Sequence, residues 1–234
     1  MNWKKYLILQ ICVLVIISLV SVQSQVCEVK VMAANITSGN YQRYEEPGIR
    51  IFQAFKPDIC CIQEFCYDGN ISELIEKAFG SDYDYYRENY DGIPNGIVYK
   101  KDFKVLDKGS WDDPQIDNRG IVYARFDVPG ENPHLFVISV HLSTQSSKQV
   151  VAANEIRKKI CEYFGVSDSE TDKIKDYIVI AGDFNAGSRS AQVLQILKKY
   201  GLVDDSPIPI DQNGEAATNS SRSKDHDFVL TNDL

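Results

Sequence analysis

The residues best suited to chemistry stand at the ends of apolar runs. Ile178-Val179-Ile180-Ala181 leads straight into Gly182-Asp183-Phe184-Asn185, and Val29-Lys30-Val31-Met32-Ala33-Ala34 into Asn35. Asp58-Ile59-Cys60-Cys61-Ile62 ends at Gln63-Glu64, Leu135–Val140 ends at His141, and Lys224-Asp225-His226-Asp227 precedes Phe228–Thr231. Taken singly, each polar end has an ordinary explanation as a turn residue, a helix cap or a solvated strand end. Five strands ending this way point instead to one shared site. Glu64, Asp183 and Asp227, with Asn35 and Asn185, offer hard oxygen donors, which suit Mg2+ or Mn2+ better than zinc. Asn side chains also donate N–H bonds to a phosphate or hold an attacking water. His141 can give a proton or a positive charge to a phosphate oxygen. Arg119, just ahead of Ile121–Phe126, can form paired hydrogen bonds to a phosphate. These are the parts needed for metal-assisted hydrolysis of a phosphoester.

The elements that must position them alternate in type. Strand patterns lie at Val26–Ala34, Ile59–Gln63, Gly96–Tyr99, Ile121–Phe126, Leu135–Val140, Tyr177–Ala181 and Phe228–Thr231, and helix patterns at Tyr44–Phe55, Ile71–Phe79, Ser146–Phe164 and Ser190–Tyr200. Leu135–Val140 is apolar on both faces apart from Ser139, the mark of a central strand. In the third helix Val150, Ala153, Ile156, Ile160 and Phe164 return at near-helical spacing and make one buried face. From Tyr83 to Val140 strand follows strand, with Tyr83 and Tyr85 on one face. That order predicts two packed β-sheets with helices outside, an α+β variant of the α/β class, rather than one doubly wound parallel sheet.

The chain of 234 residues has 44% hydrophobic and 25% charged residues, an ordinary globular composition. Lys4 and Lys5 precede an apolar run from Tyr6 to Val20, and Ser21–Ser24 offers small residues for cleavage. Residues 1–24 therefore read as a secretory signal, too short in its apolar run for a membrane anchor. Residues 25–234 read as one domain, expected to be secreted or periplasmic and monomeric. Loss of Lys4 and Lys5, with no acid lost, moves the formal charge from −8 to −10. An acidic surface does not attract nucleic acid from a distance, which argues against a passive nucleic-acid-binding module but not against an enzyme. Cys12 leaves with the signal, so Cys27, Cys60, Cys61, Cys66 and Cys161 remain as buried small hydrophobes with room for one disulfide. Cys60 and Cys61, being adjacent, should face opposite sides of their strand.

Asn35, Ile62-Gln63-Glu64, Ser139-Val140-His141-Leu142 and Ala181-Gly182-Asp183-Phe184-Asn185 occur in the order seen in the endonuclease/exonuclease/phosphatase superfamily, which the mature chain resembles along essentially its whole length. The resemblance implies a four-layer sandwich of two β-sheets flanked by helices. It implies metal binding by Glu64 with Asn35 beside it, orientation or deprotonation of the attacking water by Asp183, and contact of Asn185 with the scissile phosphate. His141 resembles the histidine that stabilises the phosphorane-like transition state, and Arg119 the arginine that contacts phosphate. Asp227-Phe228 falls in register with the family's Asp-aromatic pair ahead of an apolar strand. The implied cofactor is Mg2+, with Mn2+ the alternative and Ca2+ in a structural role.

The family pattern continues with a further strand and a Ser-Asp-His that supplies a catalytic histidine, whereas the sequence stops at Leu234, seven residues after Asp227. The expectation is a fragment lacking its last strand and that Asp-His. His226 is a poor substitute, because it should point away from the face that Asp227 occupies. Of the activities the superfamily supports, hydrolysis of DNA by an exported endonuclease is expected. A phosphodiesterase or phosphatase acting on sphingomyelin or inositol phosphate headgroups is the alternative, and a non-catalytic binding module the third. Glu88 is expected to be a solvated carboxylate rather than a partner of His141. The loop Ser206–Ser223 either overhangs the site or forms a mobile connection.

Overall fold

The computed structural model describes residues 28–37, 43–90, 92–111, 120–128, 133–199, 201–203, 210 and 212–232. Among these residues ten strands make two sheets. β1 (Val31–Ala34), β2 (Ile59–Ile62), β3 (Tyr83–Arg87) and β4 (Gly96–Lys100) form one in the order β1-β2-β4-β3. β5 (Lys104–Trp111), β6 (Ile121–Asp127), β7 (Leu135–His141), β8 (Tyr177–Asp183), β9 (Leu202–Val203) and β10 (Asp227–Asn232) form the other in the order β5-β6-β7-β8-β10-β9. Both are mixed: β1 runs parallel to β2 and β7 to β8, and the other pairings are antiparallel.

Side-chain alternation along the strands sorts the apolar residues into three layers. Between the sheets lie Ile59, Cys61, Ile97 and Tyr99 from one and Val122, Ala124, Phe126, Val137, Val179 and Ala181 from the other. The opposite face of the smaller sheet, with Cys60, Ile62 and Val98, receives Ile49 and Phe52 of α1 (Glu46–Phe55) and Leu74 and Ile75 of α2 (Ile71–Ala78). The outer face of the larger sheet, with Phe136, Ile138, Val140, Ile178 and Ile180, receives Ala153, Ile156 and Ile160 of α3 (Ser146–Phe164) and Leu194 and Leu197 of α4 (Gln192–Lys199). The result is the expected four-layer sandwich. Cys60 and Cys61 do face opposite layers, every residue of β7 is buried, and Tyr83 and Tyr85 share the layer under α1 and α2.

Several expected boundaries move for local reasons. The first strand begins at Val31, not Val26, because its ladder starts where β2 does, at Ile59. Lys30 just before it is occupied by Asp58, whose carboxylate accepts the Lys30 N–H at 2.7 Å. The first helix begins at Glu46 with Pro47 in its opening turn, where proline's missing N–H costs nothing. Tyr44, expected inside that helix, stands outside it as a buried hydrogen-bond donor. Cys60, Cys61, Cys66 and Cys161 are all free thiols, so there is no disulfide among the described residues. Cys27 lies outside them.

Gly182 is hemmed in by β7 on one side and by Gln63 of the smaller sheet on the other. Its φ is 150°, and a Cβ there would lie 2.0 Å from the Val140 carbonyl oxygen and 3.0 Å from Gln63 Nε2. Gly182→Ala is therefore expected to lower unfolding free energy by about 2–3 kcal/mol, measured by urea denaturation. Wild-type stability in the variant would contradict this packing.

Candidate active site

The polar strand ends meet at one end of the sandwich. β7 and β8 are parallel and in register, so His141 lies beside Asp183. β10 runs antiparallel to β8 and pairs Asp227 with Asp183 on its other side. One edge of the larger sheet thus carries imidazole, carboxylate and carboxylate on three neighbouring strands. The smaller sheet contributes Asn35, one residue past β1, and Glu64, two past β2. Asn35 makes the junction: its Nδ2 donates to Asp183 Oδ2 at 2.9 Å and lies 3.5 Å from Glu64 Oε1.

The backbone is bent to achieve this. Glu64 and Asn185 have positive φ, 52° and 48°, a region that non-glycine residues enter at a cost and that clusters at functional sites. The Glu64 turn is held by Phe65 N–H to the Pro94 carbonyl, and Thr37 Oγ1 donates to Glu64 Oε2 at 3.0 Å. Tyr44 ties β1 to β2 just behind, its buried hydroxyl 2.6 Å from the Ala34 carbonyl and 3.0 Å from that of Gln63. Asn185 is fixed at three points. Its N–H goes to Asp183 Oδ1 (2.8 Å), its Nδ2 to the Leu142 carbonyl (2.9 Å), and its carbonyl accepts from Gln149 Nε2 (2.9 Å).

Glu64, His141 and Asp183 are nearly inaccessible to water, with 9%, 3% and 5% exposure. His141 Nε2 stands 3.7 Å from Asp183 Oδ2, within ion-pair range if the ring is protonated but too far for a good hydrogen bond. Burial raises the Asp227 carboxyl above its usual range and the neighbouring Asp183 charge raises it further, to about 7, against a lowering by Thr218. Asp227 Oδ1 is out of solvent and has no hydrogen-bond partner.

Among the described residues no three His, Cys, Asp or Glu side chains converge as a closed metal cage. Mg2+ does not need one, since it is usually held by one or two carboxylates and keeps several waters. A buried carboxylate oxygen without a donor, beside a second carboxylate, fits such a cation. Glu64 and Asp227, with Asn35, are the residues that would hold it.

Of the residues expected at the site, Asn35, Glu64, His141, Asp183, Asn185 and Asp227 are brought together. Arg119 lies outside the described residues. Glu88, expected to be solvated, is instead 3% exposed, because the Asn95 N–H donates to its Oε1 at 2.5 Å and Gly120 packs over its carboxylate. His226 approaches through its backbone, with N–H to Thr218 Oγ1 and its carbonyl accepting from Phe184. The part of the Ser206–Ser223 loop within the described residues is tied down, because Asn219 Oδ1 accepts from the N–H groups of Ser223 and Lys224.

Thr37 and Gln149 were not expected at the site. Each had a signal. Thr37 lies two residues from Asn35 in a strand-like extension, and Gln149 interrupts an apolar helix face.

The endonuclease/exonuclease/phosphatase family model matches residues 49–232, and the chain belongs to that family, whose members are generally phosphoester hydrolases that use divalent metals. No curated protein matches significantly. Among solved structures, the human Nocturnin catalytic domain with bound sulfate is 13% identical with a TM-score of 0.65, covering 87% of this chain and 82% of that one. D. rerio TDP2 complexed with single-strand DNA product is 14% identical with a TM-score of 0.59, covering 87% and 82%. The mannosyl-6-phosphatase Bt3783 of Bacteroides thetaiotaomicron is 15% identical with a TM-score of 0.60, covering 87% and 84%. At these identities the likeness establishes a shared fold.

The raised Asp227 carboxyl has a signed consequence. Its ordinary value is 3.8 and its folded value about 7. The native state keeps a proton that the unfolded chain has released over that interval, so this group's contribution is complete below pH ~4 and lost as pH rises through ~7, on the order of 4 kcal/mol in all. Asp227→Asn in chelator is expected to melt above the wild type at pH 8 and to converge with it near pH 4. Equal melting temperatures at pH 8 would remove the proposed repulsion.

Proposed function

We propose that this chain is a divalent-metal-dependent phosphodiesterase that cleaves DNA as an exported endonuclease. The observation that carries the reading is the convergence of His141, Asp183 and Asp227 on three neighbouring strands with Asn35 and Glu64 from the facing sheet. A bound Mg2+ would supply Lewis-acid polarisation of a phosphoryl oxygen and neutralise developing charge. Asp183 takes the part of orienting and deprotonating the attacking water. Asn35 and the Asn185 N–H each hold one of its oxygens, which fixes the carboxylate plane. His141 supplies a donor to the oxygen on which charge accumulates. Asn185 spends one side-chain N–H on Leu142 and keeps the second for the phosphate. Arg119 is assigned a bidentate phosphate contact. The DNA reading draws support from the structural neighbour crystallised with single-strand DNA product. Export rests on residues 1–24, and a signal read there is part of the proposal.

The acidic formal charge favours a second reading, hydrolysis of a small phosphoester that needs no long-range attraction, and one neighbour of similar TM-score is named a mannosyl-6-phosphatase. The test is nicking of supercoiled DNA by residues 25–234 with Mg2+, with chelator, and with Asp183→Asn, beside hydrolysis of p-nitrophenyl phosphate. Nicking that needs the metal and falls at least about a hundredfold without Asp183 is the expected outcome. Metal-dependent release from the monoester with intact plasmid would select the second reading.

A further inference from the structure

Gln149 stands in the first turns of α3, on the face turned to the core, and is 4% exposed. Its single Nε2 donates twice, to the Ser143 carbonyl at 2.8 Å and to the Asn185 carbonyl at 2.9 Å. These two carbonyls belong to different loops. Ser143 lies two residues after His141, where β7 ends, and Asn185 two residues after Asp183, where β8 ends. Both hydrogens of one amide are thus spent on joining the exits of the two strands that carry the site. A second link runs between the same loops, from Asn185 Nδ2 to the Leu142 carbonyl, and a third from Leu142 N–H to the Asp183 carbonyl at 2.8 Å.

Asn185 needs this support. Its left-handed backbone, φ 48°, is costly for a non-glycine residue and persists only where its surroundings over-determine it. Without the Gln149 bond its carbonyl is free to rotate toward an ordinary conformation. A relaxation of φ would swing the side chain away from Leu142 and loosen the turn that seats the Asn185 N–H on Asp183 Oδ1. The geometry points to Gln149 as the positioning residue of the site: it acts through Asn185 and the His141 loop, touching no reacting atom, and sets the orientation of Asp183 and Asn185 together. A helix amide does this better than a loop residue because α3 is anchored on the sheet by Ala152, Ala153 and Ile156. The inference rests on the hydrolase reading above for its catalytic consequence, while the clamp itself is a property of the protein alone.

Two variants test it. Gln149→Ala removes both donors, and Gln149→Glu keeps the shape but presents a carboxylate to two carbonyl oxygens. Hydrolysis of bis(p-nitrophenyl) phosphate with Mg2+ is measured for each, together with amide hydrogen exchange of the metal-free proteins. Both variants are expected to lose about tenfold to a hundredfold in kcat with KM changed less than about threefold, the pattern of misplacement rather than weakened binding. The Gln149→Glu rate, relative to wild type at the same pH, is expected to recover as pH falls from 8 to 5.5, because a protonated carboxyl regains one donor. Exchange is expected to quicken at residues 142–145 and 184–187 and to stay unchanged in β6 and β7. A wild-type kcat in Gln149→Glu at pH 8, or exchange that quickens throughout the sheet, would overturn the assignment. If the wild-type enzyme hydrolyses no phosphoester, the hydrolase reading fails, and the exchange pattern alone decides for or against the clamp.

Discussion

A site divided between two sheets exists only if the sheets are held in one register, and Gln63 supplies that constraint. Its side chain crosses the buried layer and donates to Ser139 Oγ at 3.1 Å, with both residues wholly inaccessible to water. One residue beyond Gln63 is Glu64; two beyond Ser139 is His141. Gly182, the residue before Asp183, lies under the same amide and makes room for it by having no Cβ. The apolar layer around this bond is non-directional and would tolerate small slides between the sheets. A hydrogen bond from Gln63, at the exit of β2, to Ser139, within β7, does not. Its retention has a cost, since Gln63 Oε1 is buried without a partner, which is worth about 1–3 kcal/mol of destabilisation. An aliphatic residue would avoid that cost and lose the register.

Once the halves are aligned, the electrostatics follow from crowding. Asp183 and Asp227 are paired across one ladder, and Glu64 approaches from the other sheet through Asn35, so three carboxylates crowd one end of the sandwich. Asn35 bridges the two sheets' carboxylates with a neutral amide rather than a cation. The amide keeps the Asp183 carboxylate plane fixed, which is preorganisation of the kind that electrostatic catalysis requires. The cost appears as the raised Asp227 carboxyl and as positive φ at Glu64 and Asn185. The rest of the fold supports this end of the sandwich with three dense apolar layers.

Much of this was legible before any coordinates. Strand ends are abrupt in a sequence: an apolar run that stops at Gly182-Asp183 or Gln63-Glu64 announces both the element and the polar side chain it carries. The β7 run, apolar on both faces, marked the centre of the larger sheet. What escaped were residues whose role depends on tertiary neighbours. Gln149 looks like a blemish on a helix face until the strand exits are placed beneath it. Glu88 looked solvated because nothing local reveals that Asn95 and Gly120 close over it. Strand β5, Lys104–Trp111, is mostly polar and lies at a sheet edge, so its alternation is weak, and β9 is only two residues long. Tyr44 was drawn into a helix by its apolar character, whereas its hydroxyl is what ties β1 to β2.

The most direct test of the account is Gln63→Leu, read by melting temperature and by the rate of metal-dependent phosphodiester hydrolysis, with Ser139→Ala and the double variant beside it. If the Gln63–Ser139 bond serves register rather than stability, the melting temperature of Gln63→Leu stays within a few degrees of wild type, the rate drops on the order of a hundredfold, and adding Ser139→Ala lowers it little further. A variant that loses several degrees of melting temperature yet hydrolyses at the wild-type rate would contradict it, and would return Gln63 to the role of an ordinary core residue.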